Sequence, residues 1–335
     1  MSDVKISVIM PAFKAAHLLP RVLPPLLSMR DRGEVAEVIV IDDVSPDNTA
    51  DLARKMGADV YVMDKNGGPG AARNFAATKA TGNVLWFVDS DVIAKDNGAR
   101  RLQEIFGKGD VAAAFGSYDE SPEGPWFSRY KNLMHRFYHQ TARRQARTWW
   151  AGCGAISADM FKRVGGFDVE TYRIPSIEDI ELGYRIHAAG GDIVVDPELQ
   201  GKHLKIWSVR NSVHTDIFCR ALPWSRLIIN REGLTDDLNT GIMERVRAGL
   251  AGLLFLSFLA TIAQPSLWPV LILLLVAVFA VNSQLFRFMW QAGGPTFAIK
   301  ALLYHQFYYV YSASAFVWCL FEYHVLGRRN RLHVP

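Results

Sequence analysis

The chain has 335 residues, of which 50% are hydrophobic and 21% charged, and its formal net charge is +4. This length allows one large soluble domain plus a further region, and so mild a charge does not by itself indicate nucleic-acid binding. Cys153, Cys219 and Cys319 lie far apart without metal-type spacing, which indicates neither a disulfide framework nor a zinc site. A strand pattern begins at Val4 and leaves no room for a signal peptide, so the soluble part is expected to face the cytoplasm.

Strands and helical segments alternate through the first part of the chain. Short apolar runs predict strands over 6–11, 38–41, 60–62 and 84–88, with helices over 16–29, 45–56 and 72–80 between them. This alternation predicts a right-handed, doubly wound α/β sheet. Ligands of such sheets bind outside the carboxyl ends of the strands.

Carboxylates follow two of these strands. Asp89, Ser90 and Asp91 come directly after the run 84–88. Two aspartates at that edge can hold a hard divalent cation, which prefers oxygen ligands and often shares them with substrate phosphates. The alternative is a polar turn in which Asp89 caps the next helix, because turns favour Asp and Ser.

The loops after the first two strands indicate the kind of nucleotide. The first strand lacks the glycine fingerprint that a dinucleotide-binding unit needs at that point, which argues against hydride transfer. Asp42 or Asp43, after the second strand, could accept a hydrogen bond from a pyrimidine ring N–H. Phe13 offers a face for base stacking, or it packs as an ordinary core residue.

Six motifs, in this order, resemble those of glycosyltransferase family 2, the inverting enzymes with the GT-A fold. They are VIMPAF at 8–13, IVIDDVSPDNT at 39–49, NGGPGAARN at 66–74, DSD at 89–91, VGGFD at 164–168 and EDIEL at 178–182. Each motif is short, but the ordered set lies across roughly the first two-thirds of the chain. Lys14 departs from the family, which often has Asn after the aromatic residue, so the local base contact stays open.

The resemblance implies a UDP-sugar site with a divalent metal, Mn²⁺ or Mg²⁺. Asp42 would bind uracil, Arg73 would support the diphosphate pocket and Asp91 would ligate the metal, with His203 completing the metal shell. The alternatives are a helix-surface role for Arg73 and a structural role for His203. The implied nucleotide-sugar site comprises Pro11, Phe13, Asp42, Asp43, Gly70, Arg73, Asp89 and Ser90.

Asp179 is the general base that the resemblance implies, with Glu178 orienting its neighbours. A placed carboxylate can take the proton of a sugar hydroxyl during attack on the anomeric carbon. Both acids are also what a helix amino terminus favours. The pair predicts a hydroxyl acceptor over a polyprenyl phosphate, whose oxygen is already ionised and needs no base. The predicted acceptor-binding residues are Trp150, Gly152, Cys153, Gly154, Arg220 and Trp224.

Two segments are predicted to lie at a membrane surface. The stretch 126–150 has no acidic residue, and its apolar positions predict an amphipathic helix through Tyr138. Basic helices with aromatic faces are typical of membrane surfaces; a solvated helix packed on the domain is the alternative, and nucleic acid is not expected. The segment 217–229 matches the Gln-x-x-Arg-Trp motif of processive family members poorly, which favours single transfer.

The last third contains three apolar segments: 248–263, 270–286 and 301–321. The first two predict a membrane hairpin whose flanking arginines, Arg245, Arg247 and Arg287, face the cytoplasm. Length favours a span for the third, but Arg328, Arg329 and Arg331 would then face outward. An interfacial or re-entrant segment is the alternative.

These expectations describe an integral protein of the bacterial inner membrane, with a cytoplasmic GT-A catalytic domain over 1–240 and a membrane region over 241–335. The domain includes the interface helices near 126–147 and 217–229. The protein would transfer one sugar to a lipid-linked or glycolipid acceptor in cell-envelope synthesis. A polyprenyl-phosphate glycosyltransferase and a non-catalytic sugar-nucleotide-binding subunit are the alternatives, and a homo-oligomer stays open.

Overall fold

The computed structural model describes residues 4–234 and 240–329, which form two compact units. The first unit runs to Glu123 and resumes over His139–Lys205; the second comprises Gly124–Tyr138 and the residues from Ile206 onward. Both predicted interface helices therefore belong largely to the second unit, whereas the sequence groups them with the catalytic domain. Arg331, one of the arginines after the third apolar segment, lies outside the described residues.

The described residues of the first unit form one mixed sheet. Its strands are β1 (Ile6–Ala12), β2 (Glu37–Asp42), β3 (Asp59–Val62), β4 (Val84–Val88), β5 (Val92–Ala94), β6 (Val111–Tyr118), β7 (Gln145–Ala146), β8 (Cys153–Ser157) and β9 (Asp192–His203). They lie in the order β3-β2-β1-β4-β8-β6-β9-β5, with β7 paired to β9.

The predicted α/β fold is confirmed. The strands that the sequence predicts, β1 to β4, form the parallel part of the sheet. β1 pairs in parallel with β2 and β4, and β2 with β3. Every residue of β1 and β4 is buried, as expected where helices cover both faces of a sheet. Beyond β4 the sheet becomes mixed. β8 runs antiparallel to both of its neighbours, β4 and β6, and β5 runs antiparallel to β9.

The helices, in chain order, are α1 (Leu19–Asp31), α2 (Thr49–Met56), α3 (Gly68–Ala77), α4 (Gly98–Phe106), α5 (Trp126–Thr141), α6 (Ala158–Arg163), α7 (Glu178–Ala188), α8 (Val209–His214), α9 (Leu222–Leu227), α10 (Ile242–Ala263), α11 (Trp268–Val281) and α12 (Ser283–His324). Most helices up to α7 connect these strands, whereas α5 and the helices from α8 onward belong largely or wholly to the second unit. Single π-helical stretches, Thr215–Ala221 and Ile228–Glu232, flank α9.

The amphipathic helix predicted through Tyr138 is present as α5. Its aromatic face is buried within the second unit, where Phe127, Tyr130 and Phe137 form one cluster with Met289 and Phe297 of α12. The apolar face of α5 is therefore covered by protein.

Among the described residues, α10 is the one unbroken helix that is long and apolar enough to cross a membrane. It contains the predicted segment 248–263. The predicted segment 270–286 is not continuous, because α11 ends at Val281 and the next helix departs at 68°. The break falls at Asn282, whose side-chain amide donates to the carbonyl of Val278 at 2.8 Å. The third segment lies within α12, which Gly294 interrupts with a left-handed φ of +80°.

Candidate active site

The carboxyl ends of β1 and β2 bring the predicted base-binding residues together. The register places Ala12 opposite Asp42, so Phe13 and Asp42 leave the sheet side by side. Pro11 is buried within β1, whereas Phe13 is 47% exposed. Asp42 is buried, and its Oδ2 accepts from the backbone N–H of Ser45 at 3.1 Å. Its Oδ1 is buried without a hydrogen-bond partner among the described residues, which is unusual for a carboxylate oxygen.

Asp43 holds the glycine-rich turn instead of standing free. Its two carboxylate oxygens accept from the backbone N–H groups of Gly67 and Gly68, each at 2.8 Å. Its carbonyl accepts from the side-chain amide of Asn66. The carboxylate thus stabilises the amino terminus of α3, where negative charge is favourable. Its predicted contact with the nucleotide has no support from this arrangement.

Two residues of these loops have backbone conformations that L-amino acids rarely adopt. Lys14 has φ +53° and Val44 has φ +59°, and a positive φ at a β-branched residue is a genuine outlier. A hydrogen bond from the Lys14 N–H to Ser45 Oγ, at 3.0 Å, ties the two loops together. Such strained positions cluster at functional sites.

Arg73 lies on α3 and pairs with Asp89 at the end of β4. The Arg73 side chain is 5% exposed, and its Nη2 donates to Asp89 Oδ1 at 2.5 Å. Its Nε is buried without a partner among the described residues. The guanidinium also lies 5.4 Å from the ring centre of Phe167. Arg73 is therefore not the helix-surface residue of the alternative interpretation. Gly70 is buried one turn before it.

Asp91 and His203 meet because β9 returns alongside β5. The antiparallel register sets His203 opposite Val92, and His203 Nε2 lies 3.3 Å from Asp91 Oδ2. Burial opposes ionisation of Asp91, but the hydrogen bond and charge of His203 outweigh it and hold the pKa of this carboxyl below its ordinary value. Ser90, between the two aspartates, is half-buried.

The pair Asp91–His203 fits a divalent cation that is completed by its substrate. No group of three or more His, Cys, Asp or Glu side chains within residues 4–234 and 240–329 could enclose a metal. Mg²⁺ and similar ions commonly take one or two protein ligands together with substrate phosphates. The Tyr118 ring stacks on His203 at 4.4 Å, with 7° between the planes, and fixes the orientation of the imidazole.

Glu178 and Asp179 are the first two residues of α7 and lie beside the loop that precedes β8. Asp179 Oδ2 accepts from the backbone N–H of Ala151 at 3.2 Å, and Asp89 donates its N–H to the carbonyl of Gly152 in the same loop. Burial raises the pKa of Asp179, while the Ala151 N–H and the charge of Arg73 act in the opposite direction. Burial and the neighbouring Asp179 raise the pKa of Glu178 to about 7. The two acids are thus close enough to Arg73 for its charge to act on both carboxyl groups.

The predicted acceptor residues divide between the two units. Trp150 is half-buried and lies edge-on to Tyr118 at 4.9 Å. Gly152 is buried against the Trp150 ring. Cys153 and Gly154 are buried inside β8, and burial raises the pKa of the Cys153 thiol to about 12. Direct contact of Cys153 with an acceptor has no support from this position.

Arg220 and Trp224 belong to the second unit. Arg220 Nη1 lies 3.7 Å from the buried carboxylate of Asp216, and Trp224 is largely buried. Their assignment to an acceptor site therefore stays a prediction.

Sequence reasoning missed two residues that support the site. Tyr118, which stacks on His203, carries no local motif. Asn74 forms two hydrogen bonds with the backbone of Phe167, each at 2.8 Å, and so joins α3 to the loop before α7. Asn74 and Phe167 both belong to motifs of the family resemblance, and this membership was the only sequence feature that could have indicated their contact.

Comparison with solved structures agrees with this architecture. A mannosyltransferase of Pyrobaculum calidifontis in complex with GDP-Man and Mn²⁺ aligns with a TM-score of 0.58 at 16% identity, covering 95% of this chain and 88% of that one. GalNAc-T7 with UDP, GalNAc and Mn²⁺ aligns with a TM-score of 0.51 at 18% identity, covering 68% and 48%. At these identities the likeness concerns the fold. The first unit thus has a GT-A-type fold.

Sequence comparison finds a family match in the first part of the chain. Residues 7–164 match the model of Glycosyl transferase family 2. Validoxylamine A glucosyltransferase of Streptomyces hygroscopicus subsp. jinggangensis is 29% identical over 233 residues, which cover 58% of this chain and 54% of that protein. The chain spans about half the length of the first curated relatives it matches. Residues 7–164, just under half of the chain, therefore match glycosyl transferase family 2, the family whose motifs the sequence resembles.

Proposed function

We propose that this protein is a membrane-anchored inverting glycosyltransferase that moves one sugar from a UDP-sugar to a hydroxyl of a lipid-linked or glycolipid acceptor. The observation that carries the proposal is the Arg73–Asp89 pair. The Asp179 carboxyl lies within its electrostatic reach, and Asp91, held by His203, follows Asp89 by two residues. Base, donor site and metal ligands then share the edge of the sheet where ligands of such folds bind.

The donor base is recognised by Asp42 in this proposal. Its buried, unpaired Oδ1 is an acceptor for the ring N–H of uracil, and the exposed ring of Phe13 supplies a stacking face. Leaving a buried acceptor unsatisfied costs about 1–3 kcal/mol, so a ligand that donates to it gains that energy. The buried Nε of Arg73 is a matching donor for an anionic oxygen of the nucleotide sugar.

Asp91 and His203 would hold the divalent metal. When bound, Mn²⁺ or Mg²⁺ neutralises charge on the departing diphosphate. Mn²⁺ accompanies the nucleotide or nucleotide sugar in both structural neighbours. Tyr118, stacked on the imidazole, keeps His203 directed at Asp91.

Asp179 acts as the base in the transfer step. It takes the proton of the acceptor hydroxyl while that oxygen attacks the anomeric carbon, and the bond from this carbon to the UDP oxygen breaks with its electrons on UDP. Attack from the face opposite UDP inverts the configuration. The hydrogen bond from Ala151 fixes the carboxylate, and general-base catalysis typically contributes 10²–10⁴-fold in rate.

The apolar helices supply the membrane anchor and explain a lipid acceptor. α10 has 22 residues, or about 33 Å, and its apolar part over 248–263 covers about 24 Å, which is short of the roughly 30 Å of bilayer hydrocarbon but close to the lower limit for a span. Leu253, Leu256 and Ile262 are more than half exposed, and contiguous exposed apolar surface of this kind indicates a membrane or protein partner. The catalytic unit would lie on the cytoplasmic side, with Arg245 and Arg247.

The test is a screen of UDP-sugars, each with Mn²⁺ and a bacterial membrane lipid extract, followed by mass spectrometry of the lipid phase. The expected product is a lipid heavier by one sugar, formed by the wild type and lost in Asp179→Asn. Survival of lipid glycosylation in Asp179→Asn would favour a phosphate acceptor, since that nucleophile needs no base. UDP binding without any turnover would favour a sugar-nucleotide sensor and contradict the proposal.

A further inference from the structure

We infer that residues 295–324, the part of α12 after Gly294, lie in the plane of the membrane surface and bind the headgroup–acyl boundary of phospholipids along one face. This inference deepens the proposed membrane anchoring and rests on it. It replaces the third predicted span with a lipid-docking surface.

The helix presents two faces of opposite character. Ala298, Ala301, His305 and Tyr309 are buried inside the second unit at steps of three and four residues. The opposite face is an apolar stripe whose members are 43–66% exposed: Ile299, Leu303, Phe307, Val317, Trp318 and Phe321. A helix that carries its apolar stripe outward over about 33 Å is suited to lie along a lipid surface.

The buried face contacts charged groups from one end to the other. The Arg129 guanidinium lies 5.2 Å from the ring centre of Phe297. Tyr311 donates to Asp216 at 2.7 Å, and Glu322 pairs with Arg226 at 3.0 Å. Phe297 and Glu322 are about 38 Å apart along a helix, which is longer than the bilayer hydrocarbon is thick. A spanning helix would therefore carry some of these charges into hydrocarbon.

The middle of the helix contacts the start of the transmembrane candidate. Tyr309, at the midpoint of 295–324, donates to Glu244 Oε2 at 2.6 Å. Glu244 lies in the first turn of α10 and pairs with Arg247, just before the apolar stretch begins at residue 248. In a span, Tyr309 would be near the bilayer centre; here it is level with the charged end of α10.

The bend at Asn282 supports this orientation of the helix relative to the membrane. α12 departs from the preceding segment, Pro265–Val281, at 68°, whereas spanning helices tilt by about 0–40° from the bilayer normal. If Pro265–Val281 returns across the bilayer, α12 taken as a whole, with the break at Gly294 inside it, is steeply inclined to that segment, which favours a course along the membrane plane. Arg328 and Arg329 then stay on the side of Arg245 and Arg247, which the positive-inside rule requires.

Site-directed spin labelling tests the inference. The full chain, with Cys153, Cys219 and Cys319 replaced and an unchanged gel-filtration profile, is reconstituted into phosphatidylethanolamine–phosphatidylglycerol vesicles. Nitroxides are placed singly at Leu303, Phe307, Val317 and Phe321, and depth is measured from collisions with oxygen and a nickel chelate. Val246, Leu253 and Leu259 of α10 provide the matched series for a spanning helix.

The expected result is one shallow depth for all four α12 labels, and a steep change of depth along α10. Leu303 and Phe321 are separated by about 27 Å along a helix, so a transmembrane α12 would give its central labels far greater depth than its ends. That profile, with a normal α10 series, would overturn the inference alone. Labels that contact oxygen-rich hydrocarbon nowhere, in α10 or α12, would instead refute the membrane anchoring on which it rests.

Discussion

Glu178 is a buried carboxyl that accepts a hydrogen bond from the backbone N–H of Ser176 at 2.7 Å. Its pKa is raised from 4.5 to about 7 by burial and by Asp179. Between these pH values the folded protein binds more protons than the unfolded chain, so stability falls as pH rises through this range. Glu178 therefore destabilises the folded protein at neutral pH, as expected of a residue beside the proposed reaction centre.

Glu178→Gln should raise the thermal unfolding temperature at pH 8 and leave it nearly unchanged at pH 4.5. Glutamine keeps an acceptor for the Ser176 N–H but carries no charge, and the raised pKa of Glu178 corresponds to a gain of at most about 3–4 kcal/mol at pH 8. Glu181→Gln is the matched control on the same helix, because Glu181 pairs with Arg185 at 2.8 Å and should lose stability at pH 8. A pH-independent effect of Glu178→Gln would contradict this interpretation.

Adjacent aspartates should have separable roles. Asp42→Asn should raise KM for the UDP-sugar about 10- to 100-fold at little cost in stability, since hydrogen bonds to charged groups contribute about 1.5–3 kcal/mol. Asp43→Asn should chiefly lower the unfolding temperature, because an amide cannot accept from both Gly67 and Gly68. Steady-state kinetics and thermal unfolding of the two variants check this. Equal effects of both variants on KM would contradict the division.

At the scale of elements, the second unit depends on polar contacts between its helices. Arg226 of α9 and Glu322 of α12 form a buried pair at 3.0 Å, with side chains only 6% and 4% exposed. Removing one partner of a buried pair typically costs about 3–5 kcal/mol, whereas replacing both with apolar residues is often neutral.

Glu322→Leu should therefore lower the unfolding temperature in detergent strongly, and Arg226→Met with Glu322→Leu should recover most of the loss. The exposed pair Arg54–Asp51 serves as control, and Asp51→Asn should change stability by less than about 1 kcal/mol. A double variant as unstable as the single one would show that packing, not charge, holds α9 to α12.

The sequence predicts the elements whose signal is local. The apolar runs of β1 to β4 and the carboxylates at the carboxyl ends of β2 and β4 lie within short windows, and the structure has them near their predicted positions. The mixed half of the sheet was not predicted, because β9 contains Asp196 and Pro197 and lacks a continuous apolar run. The proximity of Asp91 and His203 depends on the β5–β9 register, which local patterns do not encode; it was reached through family resemblance.

The charged contacts of α12 were missed for a related reason. Composition alone presents 301–321 as an apolar segment, and its hydrogen-bonding partners Asp216 and Glu244 are distant in sequence. The break at Asn282 lies inside a uniformly apolar stretch, where a single polar residue gives a weak signal.

At the scale of the whole molecule, the chain combines a GT-A-type unit with a helical unit that contains α10, the proposed membrane anchor. Leu253→Arg with Leu256→Arg should strongly reduce the protein that resists alkaline carbonate extraction from membranes. Each arginine at the centre of a span costs about 2.5–3.5 kcal/mol. Ile242→Arg, at the exposed start of the same helix, is the control and should extract like the wild type. Full carbonate resistance of the double variant would contradict a span at α10.

The central claim is that Asp179 serves as base beside a UDP-sugar held by Asp42 and Asp91. The most direct measurement compares the wild type with Asp179→Asn for both UDP–Mn²⁺ affinity and sugar transfer to a hydroxyl acceptor. The account predicts a UDP–Mn²⁺ affinity within about threefold of the wild type, a change of less than about 0.7 kcal/mol in binding free energy. It predicts a turnover lower by about 10²–10⁴-fold. Transfer at the wild-type rate by Asp179→Asn would contradict it.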